Sequence, residues 1–112
     1  MSSEADLVAH LIENLEALRG VTAKRMFGGH GIFKDGLMFA LVADGIVFLK
    51  VDDQNAPEFE ALDLEPFTFT RKKTGKTSTM SYRRCPDTAL ERPDELLRWA
   101  RSAHAAAKRA KK

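Results

Sequence analysis

Asp35-Gly36-Leu37-Met38-Phe39-Ala40-Leu41-Val42-Ala43-Asp44-Gly45-Ile46-Val47-Phe48-Leu49-Lys50-Val51 is the stretch on which the fold class turns. Each Asp-Gly pair suits a two-residue type I′ turn, which needs positive φ at both central positions and so marks a β-hairpin. The two turns bracket 37–43 and lead into 46–51. Both runs are apolar at consecutive positions, the pattern of central strands whose two faces are both covered.

Working outward, 21–27 and 30–34 read as two further strands interrupted by Gly28-Gly29. Before them, Leu7, Val8, Leu11, Ile12, Leu15 and Leu18 recur at spacings of three and four, which predicts an amphipathic helix over 3–19. Ser3 is its N-cap, Asp6 completes an imperfect capping box, and Gly20 ends it. Downstream, Asn55-Ala56-Pro57-Glu58 predicts a short helix within 52–64, with Asn55 capping and Phe59 and Leu62 facing inward.

Alternation returns in 66–71 and 77–84, joined by a polar turn over 72–76. Period-2 geometry puts Phe67, Phe69, Met80 and Tyr82 on one face and Thr68, Thr70, Thr79 and Ser81 on the other. Pro86-Asp87 reads as a turn, and Pro93-Asp94-Glu95 opens a final helix. Its inner stripe is Leu96, Leu97, Ala100, Ala103 and Ala107, with Trp99 at the margin and 108–112 fraying into solvent. The order α-β-β-β-β-α-β-β-α implies a two-layer α+β fold: an antiparallel sheet with helices mainly on one face.

The 112 residues read as one domain, 1–112, ending in a basic tail at about 108–112. Seven Phe supply bulk for its core. No apolar run approaches the ~20 residues of a membrane span, and no signal-peptide core follows Met1. The lone Cys85 cannot form an internal disulfide, so cytoplasmic residence is expected, with no membrane partner. Charge is divided unevenly: residues 1–70 hold twelve Asp/Glu against five Lys/Arg, and 71–112 hold four against thirteen. Such a split can mark an anion-binding region, or the halves can neutralise one another when packed together.

Arg25-Met26-Phe27-Gly28-Gly29-His30-Gly31-Ile32-Phe33, followed by Met38-Phe39-Ala40-Leu41-Val42-Ala43-Asp44-Gly45, Leu49-Lys50-Val51-Asp52 and Met80-Ser81-Tyr82, resembles the N-terminal domain of the TfoX (Sxy) family, bacterial regulators of natural competence. The resemblance runs from the first helix through Trp99-Ala100-Arg101. It implies a two-layer α+β fold and a non-catalytic regulatory role. It also implies a protein partner in transcription regulation, such as the cyclic-AMP receptor protein. Full-length members carry a second, C-terminal domain. The family supplies no catalytic residues to carry over, and within its signature Arg25, Met26, Phe27, Gly28, Gly29 and Gly31 read as structural.

The residues suggest no cofactor, metal or catalytic centre. His10, His30 and His104 form no i, i+4 ligand pair, and Gly28-Gly29-His30-Gly31 leads into a strand where phosphate loops lead into a helix. Arg83 and Arg84 could lower the Cys85 thiol pKa, yet a buried, idle thiol is the plainer reading. What stands out is Arg71, Lys72, Lys73, Lys76, Arg83 and Arg84, six cations within fourteen acid-free residues. They are candidate nucleic-acid or partner-binding residues, with Arg98, Arg101, Lys108, Arg109, Lys111 and Lys112 a second basic region. Lysines at a hairpin tip also serve plain solubility.

Three functions follow as expectations. The first is an adaptor making protein contacts, including a homodimer, through a sheet face that one helical layer leaves uncovered; Met38, Ala40 or Val47 would lie on it. The second is a DNA-binding accessory protein using 71–84 and the basic C-terminus. The third is a small enzyme, which would show as a deep pocket of convergent titratable groups.

Overall fold

The computed structural model describes residues 4–26 and 28–111. Helix α1 (Glu4–Asn14) leads through a 3-10 turn into strands β1 (Thr22–Met26), β2 (Gly29–Lys34), β3 (Leu37–Ala43) and β4 (Ile46–Lys50). Helix α2 (Ala56–Ala61) follows, then β5 (Pro66–Thr70), β6 (Thr77–Arg84), the short helix α3 (Asp87–Leu90) and the long helix α4 (Pro93–Ala110). The six strands form one antiparallel sheet in the order β1-β2-β3-β4-β6-β5. This is the expected α+β fold, with one added helical turn at α3.

Turn chemistry sets the first four strands. Asp35 and Gly36 have φ of 54° and 76°, and Asp44 and Gly45 have 51° and 75°, so both Asp-Gly pairs take the left-handed conformation a two-residue hairpin needs. Between β2 and β3 the register shifts: Ile32 pairs with Ala40 but Phe33 pairs with Met38. Phe39 is therefore the extra residue of a β-bulge. The bulge changes the parity of β3, so Phe39, Ala40 and Val42 all turn to the helical side, at 0%, 2% and 1% exposure.

Helices α1 and α4 pack on that one side. Val8, Leu11 and Leu15 of the N-terminal segment and Leu96, Ala100, Ala103 and Ala107 of α4 close over Ile32, Phe39, Ala40, Val42, Val47 and Leu49. Trp99, expected at the margin of the α4 stripe, is central. It is 4% exposed and sits edge-on to Phe59 of α2, with ring centroids 4.9 Å apart. Each histidine ties a helix to a neighbour: His10 to the Leu90 carbonyl, His30 to the Glu4 carboxylate at 2.7 Å, and His104 to the Lys34 carbonyl.

Several local readings are corrected. The first helix stops at Asn14, whose amide turns back to donate to the His10 carbonyl at 2.8 Å, and a 3-10 turn takes over to Leu18. Its proposed cap Ser3 lies outside the described residues, as do Phe27 and Lys112. Asn55 does not cap α2 with its side chain. Buried instead, it accepts from the Asp52 N–H and donates to the Lys50 carbonyl, while the Asp52 carboxylate accepts from the Gln54 and Asn55 N–H groups. Leu62 points to solvent, because α2 ends at Ala61 and Asp63 (φ 53°) reverses the chain, so that Leu64 packs against the core instead. The end of α4 does not fray at Lys108. It continues to Ala110, where the Arg109 guanidinium grips the Asp52 carboxylate with two hydrogen bonds.

Candidate functional site

With the helices on one side, the pairing register determines what the other side shows. Phe33 pairs with Met38, Leu41 with Phe48, and Lys50 with Tyr82, all opposite in parity to the helix-packed residues. None of Phe33, Met38, Leu41, Phe48 and Tyr82 belongs to the helix-side core. They form a second apolar layer of their own. Phe67 lies against Phe48 at 4.8 Å, the Tyr82 hydroxyl donates to the Met38 carbonyl, and the Lys50 ammonium sits 5.2 Å from the Tyr82 ring centre. Burial pushes the Tyr82 phenol up to about 12.

Of the three residues named as candidates for an uncovered face, only Met38 lies there; Ala40 and Val47 are in the helix-side core. The bulge at Phe39 made that parity unreadable from the sequence. Two signature glycines exist to let this sheet close. A Cβ on Gly29 would stand 2.2 Å from the Val42 carbonyl oxygen, and one on Gly31 would stand 2.7 Å from Met38 Sδ and 3.0 Å from Met26 Sδ. Gly28, with φ of 75°, belongs to the turn before β2.

Strands β5 and β6 run on beyond β4. β4 pairs with β6 only over Tyr82–Arg84, and a last bond joins the Val51 N–H to the Ser81 carbonyl. From Thr68 to Ser81 every residue is exposed. The hairpin is thus a two-stranded arm with three chemically distinct surfaces. Phe69 (41% exposed) and Met80 (43%) extend the apolar face of Phe67 and Tyr82. Thr68, Thr70, Thr77 and Thr79 make a hydroxyl face, on which Thr70 and Thr77 bond to one another at 2.8 Å. The tip is a closed loop, held by Arg71 N–H to the Lys76 carbonyl at 2.9 Å and Gly75 N–H to the Arg71 carbonyl at 2.8 Å.

The six candidate cations separate into two groups. Arg71, Lys72, Lys73 and Lys76 sit at the tip, exposed and without an acidic partner among the described residues. Arg83 and Arg84 sit at the base and are already engaged. Arg83 donates to the Leu64 carbonyl at 2.9 Å and pairs with Glu60, and Arg84 pairs with Glu65 at 3.1 Å and Asp87 at 3.5 Å. The second basic region loses Arg98 to Glu58 and Arg109 to Asp52 in the same way. Pairing partners distant in sequence decided which cations stay available.

Cys85 is buried, and burial, with Asp87 and Glu95 nearby, pushes its thiol up to about 12, so the neighbouring arginines do not activate it. Shallow hollows open on the surface of the described residues. One, of about 810 Å³, lies along Ile12, Glu16, Ala17, Arg19, Gly20 and Val21. Another, of about 220 Å³, lies in the notch where β6 leaves β4, between Val51, Asp53 and Met80.

Fold and surface define a class: an antiparallel α+β domain that packs helices on one sheet face and extends an exposed two-stranded arm with a cationic tip from one end of the sheet. Residues 13–107 match the TfoX N-terminal domain, and the chain belongs to that family. It is 32% identical over 74 residues to the DNA transformation protein TfoX1 of Aliivibrio fischeri (strain ATCC 700601 / ES114), an overlap of 66% of this chain and 34% of that protein. It is 28% identical over 86 residues to Protein Sxy of Escherichia coli (strain K12), covering 77% and 40% respectively. The chain thus spans between about a third and two fifths of the length of these relatives.

Proposed function

We propose that the chain is a non-catalytic regulatory domain of the competence type, acting through protein contacts made by the helix-free sheet face. The carrying observation is the outer end of that face: Phe69 and Met80 are 41% and 43% exposed side chains on one face of the arm, whereas Phe48 and Tyr82 further in are closed over at 7% and 5%. Two large apolar side chains left exposed together at the end of a sheet face fit a partner contact better than solvent. The family assignment and the similarity to TfoX1, a DNA transformation protein, support a role in transformation. A transcription regulator such as the cyclic-AMP receptor protein and a second copy of this chain are the two partners in view.

Sedimentation velocity tests the reading, run on the chain alone over a concentration series and then with the purified receptor protein of the same cell. A complex or a dimer that the double variant Phe69→Ser/Met80→Ser abolishes is the expected result. A chain that stays monomeric at its highest soluble concentration and does not co-sediment with the receptor protein removes the reading.

A further inference from the structure

The apolar face leaves unexplained the most charged feature of the molecule, the tip of the arm. We infer that this tip is a separate binding site for the phosphodiester backbone of duplex DNA, gripped by Arg71, Lys72, Lys73 and Lys76. The site does not depend on the sheet-face reading, since it uses other surfaces of the arm.

Where a cation in this region has a structural task, an acid has been placed to pair with it: Glu60 for Arg83, and Glu65 and Asp87 for Arg84. Among the described residues the tip has none: no residue from Pro66 to Arg84 is acidic, and the repulsion among four cations in one short loop is left uncompensated. The alternative, that these lysines guard the sheet edge against aggregation, fits poorly. Guarding charges belong along the exposed edge strand, and β5 (Pro66–Thr70) carries no charge at all.

The loop is also closed on itself. Two backbone hydrogen bonds close it, the Lys76 N–H donates to the Thr74 hydroxyl, and Gly75 takes φ of 70°. Cations held on a closed loop lose less freedom on binding than cations on a loose one. Behind them, the threonine face offers hydroxyl donors of the kind that contact phosphate oxygens.

Shape then selects the form of nucleic acid. Two strands about 5 Å apart make a ribbon that the major groove of B-DNA, about 12 Å wide, admits, whereas the deep, narrow groove of A-form RNA does not. Cations that reach phosphates without reading base edges give sequence-tolerant binding with a steep salt dependence.

The test is fluorescence anisotropy with a labelled B-DNA duplex of about two helical turns, titrated at several salt concentrations. Four phosphate contacts give a slope of about −3.6 in log K against log salt, which is an affinity loss of about 150-fold between roughly 50 and 200 mM. The variant Lys72→Ala/Lys73→Ala/Lys76→Ala leaves Arg71 alone and is expected to flatten the slope to about −0.9, a loss of only about 3- to 4-fold over the same range. Its circular dichroism and thermal midpoint are expected to match the parent, because the altered side chains are exposed. The variant Arg101→Ala/Lys108→Ala/Lys111→Ala is expected to keep the full slope. The proposal is overturned by no binding at low salt, by an unchanged slope in the tip variant, or by loss of the slope in the α4 variant. Equal affinity for duplex RNA overturns it, as does equal affinity for polyglutamate, which would assign the tip to an acidic protein.

Discussion

Two hairpins in this sheet share a topology and little else. In the β3–β4 hairpin, closed by Asp44-Gly45, Phe39, Val42, Val47 and Leu49 are between 0% and 3% exposed beneath α1 and α4. In the β5–β6 hairpin no residue from Thr68 to Ser81 is buried. The first owes its geometry to a helical layer. The second rests on ladder bonds, one threonine pair and its closed tip. An isolated two-stranded hairpin is marginal in water, so a chain that extends one past its sheet adds little to the stability of the fold. Side chains there are free to be chosen for binding, which is why the proposed contacts concentrate on the arm.

The largest test of this contrast is a pair of truncations. Phe39→Ala is expected to cost about 3–5 kcal/mol in urea unfolding, and Met80→Ala to stay within about 0.5 kcal/mol. Comparable losses would show the arm packed in solution, against a second copy for example. A smaller effect separates backbone crowding from side-chain crowding. Gly29→Ala forces a Cβ onto a carbonyl oxygen and is expected to cost about 3 kcal/mol, whereas at Gly31 the nearest atoms include two flexible thioether sulfurs, and Gly31→Ala is expected to cost about 1 kcal/mol. If the two variants melted together, the Gly29 close approach would not be the constraint described.

The smallest effect concerns the clamp between the end of β4 and the end of α4. Hydrogen bonds from Arg109, helped by the Gln54 and Asn55 N–H groups, bring the Asp52 carboxyl from 3.8 down to about 2 against the opposing effect of burial. A folded-state pKa below the unfolded one stabilises fully above about pH 4 and is lost as pH falls from there toward 2. Thermal midpoints of the parent are therefore expected to fall more steeply over that window than those of Asp52→Asn, with the arm variants following the parent. Parallel curves for parent and Asp52→Asn would remove the clamp from the account.

Much of this architecture was legible from neighbours in the chain. Positive φ at Asp-Gly, the period of α1 and α4, and the alternation that puts Phe67, Phe69, Met80 and Tyr82 on one face all arise within a few residues. The helix α3 was less visible: its four residues follow Pro86 and carry Asp87 in the first turn, a pattern equally suited to a turn. The face of each central strand was not legible at all. Leu37–Ala43 is apolar throughout, so period 2 gives no phase, and one bulged residue reverses it.

Short-range chemistry thus dictated the elements, their turns and the acid-free basic run between 71 and 84. Which of those cations remain available was settled only when the chain closed, because Glu60 and Glu65 reach Arg83 and Arg84 across the α2–β5 connection while no acid among the described residues pairs with the tip. Turn and strand preferences act between adjacent peptide units, whereas charge neutralisation and sheet parity are properties of pairs brought together from distant parts of the chain.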